Sequence, residues 1–414
     1  MKNLWLGLTL VGLLGVGDAA FAVIGTIDAV PAATLLLPYF EVDVARTDGA
    51  DTLFSVNNAT AFPVLAHVTI WTDQAVPAMN FDVYLTGYDV QTLSLRDLFV
   101  NGNVPVTASA GQDPADTISP QGIVSQDYTV PGCESLPYPS PQISAQMRAH
   151  LRAWLQGQRS PSSDDCAGSR QDGSDVLRGY VTIDTVKTCN IFYPSDWISY
   201  RAFLTYENVL WGDVFYVNPA QNFAQGDSLV HIEACQSCFQ PGDHTFYGRY
   251  NAATASDARE ALPTTMATRF VNGGEFDGGT NLLVWREANY AASGYICSLQ
   301  GPQPWYPLLV TQVGIFDEEE QPVVAETCPS FPTNCNEIRA FQNAAQRVDV
   351  SQLSPFDFGW VYLNLQHYNL IYSDPYTQMW LTTTMDAVSR FSVGFDAVQI
   401  DNANSPVVQE LTLP

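Results

Sequence analysis

Basic residues are scarce in this chain, and lysine is almost missing. Lys and Arg number 17 against 43 Asp and Glu, giving a net charge of −26, and the lysines are Lys2 and Lys187. So acidic a surface repels phosphate backbones and anionic headgroups, which excludes nucleic acid as a partner. It favours solubility and can attract divalent cations. Long apolar runs are missing too. Beyond the first 22 residues no stretch approaches the ~20 consecutive apolar residues of a spanning helix, so no stable membrane insertion is expected. An outer-membrane barrel needs strands of ~9–11 alternating residues. The strands read here are shorter and interrupted by 26 prolines. Complete catalytic motifs are the third absence. There is no Gly-x-Ser-x-Gly elbow and no Asp-x-x-His pair. Residue 239 is Phe, so Cys235-x-x-Cys238 is not a haem attachment.

What is present begins with a leader. Lys2, the apolar run Leu4–Val16 and the small-x-small site Ala20-Phe21-Ala22 read as a secretory signal peptide cleaved after Ala22. The expected location is secreted, periplasmic or cell-surface. Eight cysteines follow, all beyond the leader. An even count in an exported chain reads as disulfides, whose connectivity sequence alone does not fix. Proximity nominates Cys328 with Cys335 and Cys133 with Cys166.

The stretch Asp51–Leu98 carries the clearest fold signal. Phe54 and Val56 share a face, then Val64, Ala66, Val68 and Ile70 alternate with Leu65, His67, Thr69 and Trp71, and Phe81, Val83 and Leu85 alternate with Asn80, Asp82 and Tyr84. Period two broken by Asn, Pro and Gly marks half-buried antiparallel strands, and three in succession suggest one face of a sandwich. The apolar run Ala33–Val42 contains Pro38, which makes it an edge or bent strand. In Gln142–Gln158, Ile143, Met147, Leu151 and Leu155 recur at four-residue spacing, with Trp154 on the flank, predicting an amphipathic helix. Strand patterning returns at Tyr180–Asp184, Leu210–Asn218, Ser228–Cys235 and Thr245–Tyr250. Short helices are expected over Asp257–Leu262, capped by Ser256, and from Asp374 through Trp380, and Arg390–Ile400 reads as a last strand. Asn281–Val324 faintly echoes the opening stretch, hinting that its architecture is used twice.

Residues 51–98 resemble the immunoglobulin-like β-sandwiches of uncharacterised exported bacterial proteins. The resemblance rests on TLFSVNNATAFPVLAHVTIW followed by FDVYLTGYDVQTLSL. It implies a surface, adhesive or spacer role and carries no catalytic residues. The helical insert and the cysteines depart from a minimal sandwich. The expected fold is therefore all-β: a two-lobed antiparallel β-sandwich, immunoglobulin-like, with a small helical insertion. Residues 23–132 form the first sandwich, 133–178 an insertion or linker and 179–414 a second β-rich lobe.

Four groups of residues are candidates for chemistry. His231, Cys235, Cys238 and His244 have ligand types and spacing compatible with zinc, with Glu233 on the same strand face; in an exported protein a Cys235–Cys238 disulfide is the preferred reading. Gly226-Asp-Ser-Leu229 matches a lipase nucleophile block but lacks its partners. Tyr206, Trp211 and Tyr216 could stack on sugar rings, with Glu207 and Asp213 as the carboxylate pair of a hydrolase; aromatics on strands are more often core. The acidic loops Asp43–Asp51, Asp172–Asp175, Glu275–Asn281 and Asp317–Glu320 offer calcium-type oxygen ligands. No cofactor is demanded; calcium and zinc are the candidates. The function that fits is an exported non-enzymatic surface, matrix or ligand-binding protein meeting glycans or cell-surface proteins. An extracellular polysaccharide-acting hydrolase is the alternative. Oligomeric state is open.

Overall fold

The computed structural model describes residues 30–105, 133, 137–169, 174–251, 255–274, 277–288, 295–297, 306, 308–327, 340–366, 377–387, 391–393 and 397–402. The leader, the Cys328 and Cys335 pair, and Asp374-Pro375 lie outside these residues. No described helix is long and apolar enough to cross a membrane.

The fold is all-β and its sheets are antiparallel. The first strands are β1 (Thr34–Asp43), β2 (Asp51–Asn58), β3 (Val64–Thr72), β4 (Pro77–Leu85), β5 (Val90–Ser94), β6 (Asp165–Cys166), β7 (Val176–Val186), β8 (Leu210–Trp211), β9 (Asp213–Asn218), β10 (Phe223–Ser228) and β11 (Val230–Ile232). They build a sheet of order β11-β1-β7-β3-β4 and a second of order β10-β9-β2-β5, with β8 also paired to β2. Then come β12 (Pro263–Val271), β13 (Gly279–Arg286), β14 (Tyr295–Ile296), β15 (Gln312–Phe316), β16 (Pro322–Thr327), β17 (Ala345–Asp349), β18 (Phe358–Asn364), β19 (Met379–Ala387), β20 (Phe391–Val393) and β21 (Val398–Asn402). These form the sheets β16-β15-β18-β12-β21 and β17-β13-β19-β20, while β14 pairs with β6. By pairing, residues 176–232 belong with the N-terminal strands, and the C-terminal sheets begin at Pro263.

The strands read in Asp51–Leu98 exist but do not share one sheet. β3 and β4 form a hairpin, whereas β2 crosses to the other sheet beside β5 and β9. Alternation reports which side chains share a face; it does not name the neighbouring strand. Nor is β3 half-buried: all nine of its residues are buried. β1 is central, between β11 and β7, and its register shifts between Leu37 and Phe40. That irregularity brackets Pro38, so the strand is bent as expected but is no edge.

The helix α1 (Ala145–Leu155) is capped by Ser144, whose hydroxyl accepts the Met147 N–H at 3.2 Å. Leu151 and Leu155 are buried, while Met147 is 43% exposed. Four other expectations are corrected. Thr245–Tyr250 is a turn leading into one helical turn at Gly248–Asn251. Asp257, instead of opening a helix, accepts the Tyr247 N–H at 2.8 Å and the Asn251 amide at 2.7 Å, tying that turn down. Met379 and Trp380 open β19 rather than close a helix, and the last strand divides into β20 and β21 in different sheets.

Disulfides join Cys133 to Cys189, Cys166 to Cys297 and Cys235 to Cys238. The Cys133–Cys166 pairing expected from proximity is thus replaced. β6 carries Cys166 alongside Tyr295 of β14, which delivers Cys297 from 131 residues away. Sequence separation does not measure that distance.

The two pairs of sheets share a strand's worth of core. β13 is buried along its whole length. Its Leu282 and Val284 pack in the C-terminal core with Met266, Val313 and Val361, while Leu283 and Trp285 join the N-terminal core. At that junction Trp71 stacks on Tyr180 with ring centroids 5.5 Å apart, and Tyr180 meets the Trp285 ring edge-on at 6.1 Å.

Candidate functional site

The residues nominated around Trp211 are only partly brought together. Trp211, Asp213 and Phe215 alternate along β8 and β9; Trp211 is 37% exposed and Phe215 51% exposed. Tyr216 takes the opposite side, is buried, and donates its hydroxyl to the Tyr39 carbonyl at 3.0 Å. It is a core residue. Tyr206 is half-buried in the loop before β8 and donates to the Ser256 carbonyl at 3.3 Å; Glu207 is exposed in that same loop. Phe215 is the aromatic that the sequence reading passed over. Period two from Trp211 was its signal.

The zinc-type constellation is a disulfide with two separate histidines. Cys235 and Cys238 are bonded to each other, which consumes both prospective thiolate ligands. His231 is buried on β11, where its Nε2 accepts the Gly212 N–H at 3.3 Å and burial lowers its pKa. His244 is half-buried in the loop beyond. Among the described residues no group of three or more His, Cys, Asp or Glu stands close enough to hold a metal. Ser228 of the lipase-like block is exposed on β10, pairing across to Asp213.

The loop Asp43–Asp51 does gather oxygens around a cation, and that cation is Arg96. Its guanidinium donates to the carbonyls of Asp43 at 2.6 Å, Gly49 at 3.0 Å and Ala50 at 2.9 Å, and to that of Arg46; its Nε stands 3.7 Å from the Asp51 carboxylate. A side chain fills the place that the oxygen-rich loop offered to calcium.

His67 and Trp71 lie within a buried layer. His67 Nδ1 is 2.6 Å from the Asp82 carboxylate and Nε2 is 3.1 Å from the Phe192 carbonyl, so both ring nitrogens face acceptors. The Trp71 indole N–H donates to Thr182 at 2.9 Å. Beside them, Asp184 accepts from Tyr200 and Tyr247 at 2.7 Å each. All these side chains are sealed from solvent, and they hold segments onto the sheet.

An open concavity lies elsewhere, on the outward face of the sheet β16-β15-β18-β12-β21. It is a groove of about 1010 Å³ lined by Ala267, Arg269, Glu318, Glu320, Trp360 and Val398, among others. Register explains the arrangement. Phe316 of β15, Trp360 of β18 and Arg269 of β12 are lateral neighbours in one row. In the adjoining row Gly314, Tyr362, Ala267 and Val398 are neighbours in turn. The Phe316 and Trp360 rings stack with centroids 4.0 Å apart and planes 10° apart. One face of the indole is thereby covered, and Trp360 lines the groove together with Ala267. Gly359 lets these strands close up, since a Cβ there would fall 2.0 Å from the Phe316 carbonyl oxygen.

A stiff turn supplies the acidic rim. The Asp317 carboxylate accepts the N–H groups of Glu319 at 2.9 Å and Gln321 at 2.8 Å, and the Glu320 N–H donates to the Asp317 carbonyl at 3.2 Å. Glu320 sits at φ 61°, a left-handed conformation costly for a residue with a Cβ. Glu318 and Glu320 are exposed and line the groove. In the sequence this turn is visible only as a candidate calcium loop, while Trp360 reads as one more strand aromatic. What distinguishes them is lateral register between strands far apart in the chain.

No family model, curated protein or solved structure matches the chain.

Proposed function

We propose that this is an exported, non-enzymatic ligand-binding protein whose ligand lies in the groove over β12 and β18. The observation behind this reading is the Trp360 indole, backed by Phe316 and bordered by Arg269, Glu318 and Glu320. Such a site combines an apolar plane with a few convergent polar groups, the usual composition of a binding cleft. The three disulfides among the described residues and the acidic composition suit an extracellular setting. The resemblance of residues 51–98 to immunoglobulin-like domains favours a surface or matrix role over turnover. No step of chemistry is assigned to the groove.

Glycan and matrix-protein arrays probed with the full chain test this reading. Capture that falls on Trp360→Ala, with no release of reducing sugar from bound polysaccharide, is the expected result. Turnover of a polysaccharide that disappears in Glu207→Gln or Asp213→Asn would replace it with the hydrolase alternative.

A further inference from the structure

We infer that the groove takes an uncharged polysaccharide chain; this rests on the binding reading above and names its ligand class. A pyranose ring offers a flat patch of C–H groups on one side and hydroxyls around its rim. Trp360 is half-buried and lines the groove, with Phe316 stacked on one ring face at 4.0 Å. That suits packing against the C–H patch, since an indole is at once a large apolar surface and a rigid one. The hydroxyl rim then needs donors and acceptors in the same plane. Arg269, lateral to Trp360 on the next strand, supplies a planar fork of N–H donors, and Glu318 and Glu320 supply carboxylate acceptors.

Electrostatics narrows the class. Among the described residues the groove is lined by two carboxylates and one guanidinium, in a chain whose net charge is −26. A polyuronate or sulfated chain would enter against that field. A neutral chain feels none of it, and its hydroxyls bond equally well to both signs of charge. Size points to a polymer rather than a single sugar: about 1010 Å³ lies at the upper end of what small-molecule sites occupy. Val398, one of its lining residues, is 64% exposed.

Affinity electrophoresis and titration calorimetry of the full chain against soluble mixed-linkage β-glucan, galactomannan, polygalacturonate and chitosan test the assignment. We expect retardation by a neutral polymer, little change between 50 mM and 500 mM salt, and at least a tenfold loss of affinity in Trp360→Ala and in the Glu318→Gln, Glu320→Gln double variant. Trp211→Ala, on the other exposed sheet face, should retain binding, and thermal unfolding of each variant checks that the fold persists. Preferential binding of polygalacturonate, or salt-sensitive binding of chitosan, overturns the uncharged-ligand assignment while leaving a binding site at Trp360. Retention of matrix proteins through Trp360, with no polysaccharide bound, does the same. Polysaccharide binding that ignores Trp360→Ala moves the site and overturns both readings of the groove.

Discussion

Arg259 and Asp184 stand 3.4 Å apart with neither side chain reaching solvent. Asp184 belongs to β7, whereas Arg259 lies in the segment that leads into the C-terminal sheets, and both meet the Thr34 hydroxyl of β1. Arg259 also donates to the carbonyls of Asp257 at 2.9 Å and Thr205 at 3.2 Å. A buried charge so thoroughly partnered holds its surroundings in one arrangement, and each partner is costly to remove alone. Arg259→Met should lose about 3–5 kcal/mol in urea unfolding, because it strands a buried carboxylate. A loss under about 1 kcal/mol would show that Asp184 needs no cation.

Asp73 predicts a pH dependence. Its carboxylate accepts the Ser169 N–H at 2.7 Å, and its carbonyl accepts the N–H groups of Ala344 at 2.8 Å and Ala345 at 3.1 Å, bridging the two sets of sheets. Burial pushes its pKa from 3.8 up to about 6. The folded protein therefore prefers the protonated acid. Its contribution is fully present below about pH 4 and is lost as the pH rises through 6, where ionisation costs up to about 3 kcal/mol. Asp73→Asn cannot ionise. Its stability relative to the parent should climb between pH 4 and 7 and level off above; equal differences at pH 4.5 and pH 7.5 would refute the assignment.

Arg96 predicts calcium independence at one loop. Replacing it with Met leaves the carbonyls of Asp43, Arg46, Gly49 and Ala50 without their donor, at a cost of about 2 kcal/mol for hydrogen bonds of this charge-assisted kind. Amide exchange across residues 43–51 should accelerate in the variant, whereas EDTA should leave exchange there unchanged in the parent. Protection of this loop that depends on calcium in the parent would contradict the role given to the guanidinium.

The Cys166–Cys297 bridge closes a separation of 131 residues. In the chain-entropy picture so long a loop gains most from closure, and Cys166→Ser with Cys297→Ser should lower stability by about 2–4 kcal/mol. Opening Cys235–Cys238, with a separation of 3, should cost less. Melting temperatures of the two double variants, measured without reductant, give the order directly.

Period two made the strands legible in the sequence: β2, β3, β4, β9 and β13 all fall where alternation or an apolar run placed them. Sheet membership was not legible, because β2 and β3 show the same pattern from different sheets. Half-burial also misled. Polar residues at alternate positions, His67, Asp82 and Asp184, read as a wet face, yet they are buried and bonded to the Phe192 carbonyl, the Asn190 N–H, the Tyr200 and Tyr247 hydroxyls and Arg259. A residue's polarity reports solvent only when nothing polar is brought to it from far along the chain. The groove was hidden for the related reason that Phe316, Trp360 and Arg269 become neighbours only through register. The region around Trp211 announced itself by local density of aromatics and acids, yet Tyr216 turned inward and Tyr206 is half-buried.

The double-faced burial of β13 has a consequence for how this chain can be divided. Neither half is a module that can be cut away and kept. Ending the chain before Pro263 would uncover Tyr180 where Trp285 now lies, and beginning it there would bare Leu283 and Trp285 on a sheet otherwise covered. The protein should melt in one step and be inherited, shuffled or engineered only whole.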